Sequence, residues 1–137
     1  MTEELRGKLL AYDEPFTRGN GISVTAVEDG YARVTAALAP AVLNHWDGPH
    51  GGLLFTAADV ATGTAVLTLR QESCVTVSSA MQFVGTPRVP GDLTAEGRVT
   101  RCGGHMAYCA AEVRDAEGNL LVTFQSTMYF TGQELPL

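Results

Sequence analysis

Residues 51–69 read GGLLFTAADVATGTAVLTL and carry a single charged side chain, Asp59. Small or apolar residues fill almost every other position. At 3.6 residues per turn such a run leaves no polar face wide enough to meet water. The polar positions Thr56, Asp59, Thr62 and Gly63 recur at spacings of three and four and form one narrow stripe. The run therefore predicts a helix over 51–70 that is central, with other elements covering most of its sides. A membrane span is the competing use of such a length, but Asp59, four threonines and three glycines interrupt the run.

The flanking sequence supplies the cover. Residues 3–11 predict a short helix. Residues 22–28 (ISVTAVE) alternate apolar and polar as a half-buried strand does, Glu28-Asp29-Gly30 reads as a hairpin turn, and residues 31–38 alternate again until Pro40. After the central helix come strand-like runs at 73–84, 92–101, 105–114 and 119–130, separated by turns such as Gly103-Gly104 and Asp115 to Gly118. In 92–101, Ala95, Gly97 and Val99 predict an inward face and Glu96, Arg98 and Thr100 an outward one. Short connections between these runs predict an antiparallel meander. The expectation is an α+β chain, an antiparallel sheet wrapped around one long helix, as a single domain over residues 1–137.

Charge and cysteine content narrow the function classes. A net charge of −6 opposes a nucleic-acid binder, which needs a basic face to neutralise phosphates. The N-terminal MTEELRGKLL is mixed in charge and lacks the apolar core of a signal peptide. Three cysteines, Cys74, Cys102 and Cys109, have no CxxC spacing and read as reduced thiols. The expected setting is cytoplasmic, with no membrane contact. His45, Asp47 and His50 have no fourth partner at metal-ligand spacing, so no metal is expected.

The segment before and into the helix carries the chemistry. Asn44, His50-Gly51-Gly52, Phe55 and Asp59 follow the pattern N-x5-H-G-G-x2-F-x3-D, and the downstream block MQFVGTPRVPGDLTAEGRVTRCGGHMAYCAAEVRDAEGNLLVTFQSTMYF accompanies it. Together they resemble the hotdog-fold acyl-CoA thioesterases, and among these the PaaI-like branch of phenylacetic acid degradation. The resemblance covers roughly residues 20–130 and implies a hotdog fold, an acyl-CoA substrate, no cofactor other than the coenzyme A carried by that substrate, and a homodimer that pairs into a homotetramer.

Elementary chemistry meets that implication. The first turn of a helix has free N–H groups at the positive end of the dipole. Glycine there admits close approach of a carbonyl, so the Gly51 N–H is the expected oxyanion donor, with Gly52 beside it. Asp59 is the expected general base or nucleophile. The two lie eight residues apart on one helix, about 12 Å along the axis at 1.5 Å per residue. One thioester carbon does not easily reach both, whereas two copies related by a two-fold axis bring Gly51 of one beside Asp59 of the other.

The remaining assignments follow from the resemblance. Asn44 orients the leaving sulfur or the attacking water, and His50 holds the loop. In a related branch that uses Glu as the acid, a Thr one turn later assists; here that position is Gly63, with Thr62 beside it. Trp46, Phe55 and Met81 line the acyl group. Arg88 and Arg101, with Arg98 and His105 behind them, are the candidates for the CoA phosphates, although Arg88 follows Pro87 where the family has an Arg before the proline. A non-catalytic acyl-CoA binding module on the same fold is one alternative. A hotdog hydratase or dehydratase is another, opposed by Thr64 where that branch has His.

Overall fold

The computed structural model describes residues 1–135 and 137. Helix α1 (Glu3–Leu10) starts at Thr2, whose hydroxyl accepts the Leu5 N–H at 3.1 Å; Glu3 and Glu4 occupy its first turn, and it buries Leu5 and Leu9. A five-residue helix α2 (Pro15–Gly19) follows, with proline at its start where a missing N–H costs nothing. Strands β1 (Ile22–Glu28) and β2 (Tyr31–Ala36) form the expected hairpin. A 3-10 turn over Pro40–Val42 leads to the long helix α3 (Gly51–Leu69). Strands β3 (Glu72–Phe83), β4 (Leu93–Cys102), β5 (Met106–Arg114) and β6 (Leu120–Glu134) complete the chain.

All six strands join one antiparallel sheet in the order β1-β2-β4-β5-β6-β3. The expected meander holds for β4 to β6 but not for β3. That strand pairs with β6, Cys74 opposite Phe130 and Phe83 opposite Val122, and so forms an edge. Helix α3 lies across one face of this sheet, chiefly over β2 and β4. It packs Leu53, Leu54, Ala57, Ala58, Ala61 and Ala65 against inward residues that include Val34, Leu93, Ala95, Val113 and Phe124. By length and composition α3 could cross a membrane, yet its sheet-facing side is the core of this fold.

Helix and sheet come closest at Gly97. A Cβ there would lie 2.5 Å from the Ala61 carbonyl carbon and 2.7 Å from the Thr62 nitrogen. Only glycine lets β4 pass under the helix backbone, and the inward parity of Ala95 and Gly97 is as the alternation predicts.

The helix is not covered all round. One sheet wraps one side, and Gly52, Phe55, Thr56, Asp59, Val60, Gly63 and Leu67 remain half-buried or exposed along a stripe at i+3 and i+4 spacing. Beside the stripe lies β3, whose outer edge carries no partner strand and whose Val75 and Val77 are exposed.

Candidate functional site

The start of α3 is built by His50. Its backbone is extended (φ −64°, ψ 142°) and its Nδ1 accepts the Gly52 N–H at 2.9 Å, so the proton of the neutral ring sits on Nε2. The Leu53 and Leu54 N–H groups turn back to the His50 carbonyl, at 3.0 and 3.3 Å. Of the helix's first donors, the Gly51 N–H alone has no acceptor among the described residues. His50 thus holds the turn, as expected, and leaves one oriented donor free at the positive end of the helix. The Phe83 ring lies against this glycine: a Cβ at residue 51 would meet the Phe83 Cζ at 3.3 Å.

The preceding loop is shaped by Asn44. Its Oδ1 accepts the N–H groups of Trp46 (2.9 Å) and Gly48 (3.1 Å), while its Nδ2 donates to the Pro49 carbonyl at 3.4 Å. This Asx-type turn sets Asp47 in the left-handed region, φ 60°. The side-chain oxygen is therefore occupied by the loop, and the Nδ2 keeps one hydrogen beyond its bond to the Pro49 carbonyl. Trp46, 78% exposed, lines the cleft that also holds Gly51, and its indole leans on the His45 ring at 4.4 Å. His45 and His50 point to separate tasks, and no cluster of three metal-ligating side chains exists among the described residues.

Asn44, Trp46, Gly51 and Leu54 line one side of a cleft of about 870 Å³, and Phe83 and the loop bearing Arg88 line the other. The Arg88 guanidinium makes no ion pair among the described residues. Gly52 and Phe55 border a second cleft of about 430 Å³, where Phe16 of α2, Ile22 and Val42 supply apolar walls. The Phe55 ring also meets Phe124 edge-on, 5.5 Å between centroids.

Asp59 lies outside both clefts. It is half-buried on the open stripe, and its Oδ1 accepts the Thr76 hydroxyl of β3 at 2.8 Å. Thr76 was not legible from local pattern, because seventeen residues and a strand crossing separate it from the acid. Thr62, expected beside a ligand, is fully buried instead. Its hydroxyl donates to the Asp59 carbonyl at 3.1 Å and accepts from Ser126 at 3.1 Å, which ties the acid's own turn to β6. Gly63 stays on the open stripe, with room for a Cβ at 3.6 Å from Met128.

Four other candidates lie elsewhere. Met81 is half-buried in β3 and packs on the main core, opening into neither cleft. Arg101 is exposed at the far end of β4, opposite Tyr108. Arg98 stacks over the Tyr31 ring at 4.5 Å, and His105 lies in the β4–β5 turn, its carbonyl accepting the Phe130 N–H. Of the basic candidates, one chain brings only Arg88 to the Gly51 cleft. All three cysteines are free, and burial pushes the Cys74 and Cys109 thiols up to about 11, away from nucleophilic use.

A model of the thioesterase superfamily matches residues 50–122, from the helix cap through the first residues of β6. The chain belongs to the thioesterase superfamily. Its sheet and central helix make the hotdog fold of solved neighbours in that superfamily. One is the E. coli PaaI protein from the phenylacetic acid degradation operon, with TM-score 0.82 and 22% identity over 89% of this chain and 88% of that one. Another is a hypothetical thioesterase protein of Streptococcus pneumoniae TIGR4 solved with coenzyme A, with TM-score 0.75 and 26% identity over 83% and 88% of the two chains. Among curated proteins, PA0474 of Pseudomonas aeruginosa carries an esterase name and is 38% identical over 54% of this chain. SSO2140 of Saccharolobus solfataricus, also named an esterase, is 35% identical over 52%. The chain spans about half the length of these curated relatives, 57% and 51% respectively.

Proposed function

We propose that this thioesterase-superfamily chain hydrolyses an acyl-CoA thioester, aryl or of short to medium length, to the free acid and coenzyme A. It works in a homodimer, itself able to pair into a homotetramer in the cytoplasm, whose two sites are each built from both copies. The observation that carries the reading is the separation within one chain of a free Gly51 N–H, facing the larger cleft, from the Asp59–Thr76 pair outside it. Superfamily membership and the esterase names of the relatives support hydrolase chemistry, and the coenzyme A held by the pneumococcal neighbour supports the carrier.

The second copy has an obvious seat. An apolar stripe on α3 (Phe55, Val60, Leu67) and the unpaired edge of β3 with Val75 and Val77 lie side by side. A long, apolar, unpaired edge strand is a template for strand addition. Edge-to-edge pairing of two β3 strands would continue the sheet and face the two stripes together, closing each composite site.

In such a site the thioester oxygen accepts the Gly51 N–H, which stabilises the charge that develops as the carbonyl becomes tetrahedral. Asp59 of the partner subunit, steered by its Thr76 hydroxyl at Oδ1, presents Oδ2. It either takes a proton from water as that water attacks, or attacks the carbonyl carbon itself and forms an anhydride that water then opens. In both routes the C–S bond breaks and the proton released from water neutralises the thiolate. His50 orients the donor, Arg88 meets the phosphates of the carrier, and no metal or redox cofactor enters a step.

The experiment is a panel of acyl-CoA esters followed by a thiol-reactive dye, together with mixed dimers. Asp59→Ala and Gly51→Pro chains are inactive alone, and mixing restores one of two sites. No thiol release from any ester, with wild type and Asp59→Ala equal, removes the hydrolase reading. Hydrolysis by wild type without recovery in the mixture removes the composite site.

A further inference from the structure

The loop from residue 84 to residue 92, VGTPRVPGD, forms the wall of the larger cleft opposite Gly51 and carries Arg88. Two of its residues, Pro87 and Pro90, have no N–H to anchor with. Val84 and Gly85 hold its start through the Leu121 carbonyl, at 2.9 and 3.2 Å. Beyond them the loop's backbone is tied, among the described residues, at one further point, the Arg88 N–H, which donates to Asp115 Oδ2 at 2.9 Å.

Asp115 opens the β5–β6 turn and is 3% exposed. Its Oδ1 accepts the Glu117 N–H (3.0 Å) and the Asn119 N–H (2.9 Å), and the Asn119 carboxamide reaches both oxygens, at 3.2 and 2.9 Å. No cation pairs with it among the described residues. The buried charge is compensated by N–H donors alone. Steric seats flank this bond: a Cβ on Gly85 would lie 2.5 Å from the Leu120 carbonyl oxygen, and one on Gly91 3.0 Å from Ala116 Cβ.

The two backbone N–H groups of the turn go to Oδ1, which an asparagine also supplies. An ionised carboxylate is required because the second oxygen must accept as well, from the Asn119 carboxamide within the turn and from the N–H of the residue that bears the cleft's guanidinium. We infer that Asp115 is a positioning residue for carrier recognition: through the Arg88 N–H it fixes the arginine-bearing wall against the β5–β6 turn, so that the guanidinium meets a phosphate-bearing ligand preorganised. The inference rests on the proposed reading that the cleft takes coenzyme A.

Asp115→Asn keeps the Oδ1 acceptor for the turn's two backbone N–H groups and turns an N–H₂ toward the Arg88 N–H, so it unties the loop and costs the turn only the Asn119 carboxamide's bond to Oδ2. Calorimetric titration with coenzyme A should show binding weakened about tenfold, the scale of one charge-assisted contact. Arg88→Ala should weaken it similarly, and the double variant no further than Arg88→Ala. Hydrogen exchange should quicken in residues 84–92 and stay slow in 115–119. Gly91→Val, which pushes the loop off Ala116 from its other end, should give the same loss if Asp115→Asn fails to fold. Unchanged coenzyme A affinity in either variant, or no coenzyme A binding by wild type, overturns the inference. So does faster exchange in the turn equal to that in the loop. If these shifts occur and no thioester is hydrolysed, the hydrolase reading falls and the positioning role stands.

Discussion

Thr76 and Asp59 meet across the gap between an edge strand and the central helix, hydroxyl to carboxylate at 2.8 Å. The bond fixes one oxygen of the acid and frees the other. Thr76→Val keeps the shape and removes the donor; kcat is expected to fall about 10- to 100-fold with KM nearly unchanged, and Thr76→Ser to recover most of it. Asp59→Asn should cost about 10²–10⁴ in kcat. Steady-state thiol release measures both, and wild-type kinetics in Thr76→Val would sink the pairing's role.

Gly51→Pro tests the proposed oxyanion donor with little disturbance. Proline suits the first position of a helix, and His50 already has the extended backbone that a residue before proline needs. The Phe83 ring has to give by a few tenths of an ångström. The expected loss is about 10²–10³ in kcat, with a melting temperature near that of wild type. A large loss of stability instead would mean that the steric contact, not the N–H, decides the effect.

Val77→Lys places a charge on the exposed edge of β3 without touching its pairing to β6. Light scattering after size exclusion should show a monomer, and activity should vanish with the dimer. A dimeric, active Val77→Lys chain would move the interface away from this edge.

Gly97→Ala should destabilise the fold by about 1–3 kcal/mol, since the new methyl meets helix backbone rather than a yielding side chain. Thermal unfolding should move down by about 4–12 °C. Ala95→Gly, the neighbouring inward position, should behave as an ordinary loss of packing.

The backbone N–H of Arg88, ahead of the donors in its own turn, pulls the Asp115 carboxyl down to about 2 from 3.8. A depressed carboxylate contributes stability above its unfolded value and loses it as pH falls toward its folded value. The melting-temperature difference between wild type and Asp115→Asn should therefore be constant above pH 4. It should shrink as pH drops from about 4 to about 2. A difference that grows on acidification would contradict the assignment.

What the sequence disclosed followed from periodicity. The apolar run at 51–69 predicted a long central helix, found over Gly51–Leu69 but covered by the sheet on one side only, and the alternation in 92–101 set Ala95 and Gly97 inward, as found. Helix α2 escaped because five residues are too few for a period to register. The place of β3 escaped because strand adjacency depends on which edge remains open after β4 has paired with β2. Within the site, His50 and Gly51 could be read from the rules of helix entry. Thr76 and Asp115 could not, since each acquires its task only through a partner on another element. Thr62 misled for a related reason: its spacing put it beside Asp59, and Ser126 on β6 drew it inward.

The pairing of β3 with β6 also dictates when a newly made molecule can work. Helix α3, with Gly51 and Asp59, precedes β3 in the chain, but Thr76 is held in place by residues 122–134, which are made well after it. Long-range strand pairing is slow and comes late. A nascent chain therefore carries a finished helix and an unfinished Asp59–Thr76 pair, with a naked apolar strand beside them, until β6 is made and pairs with β3.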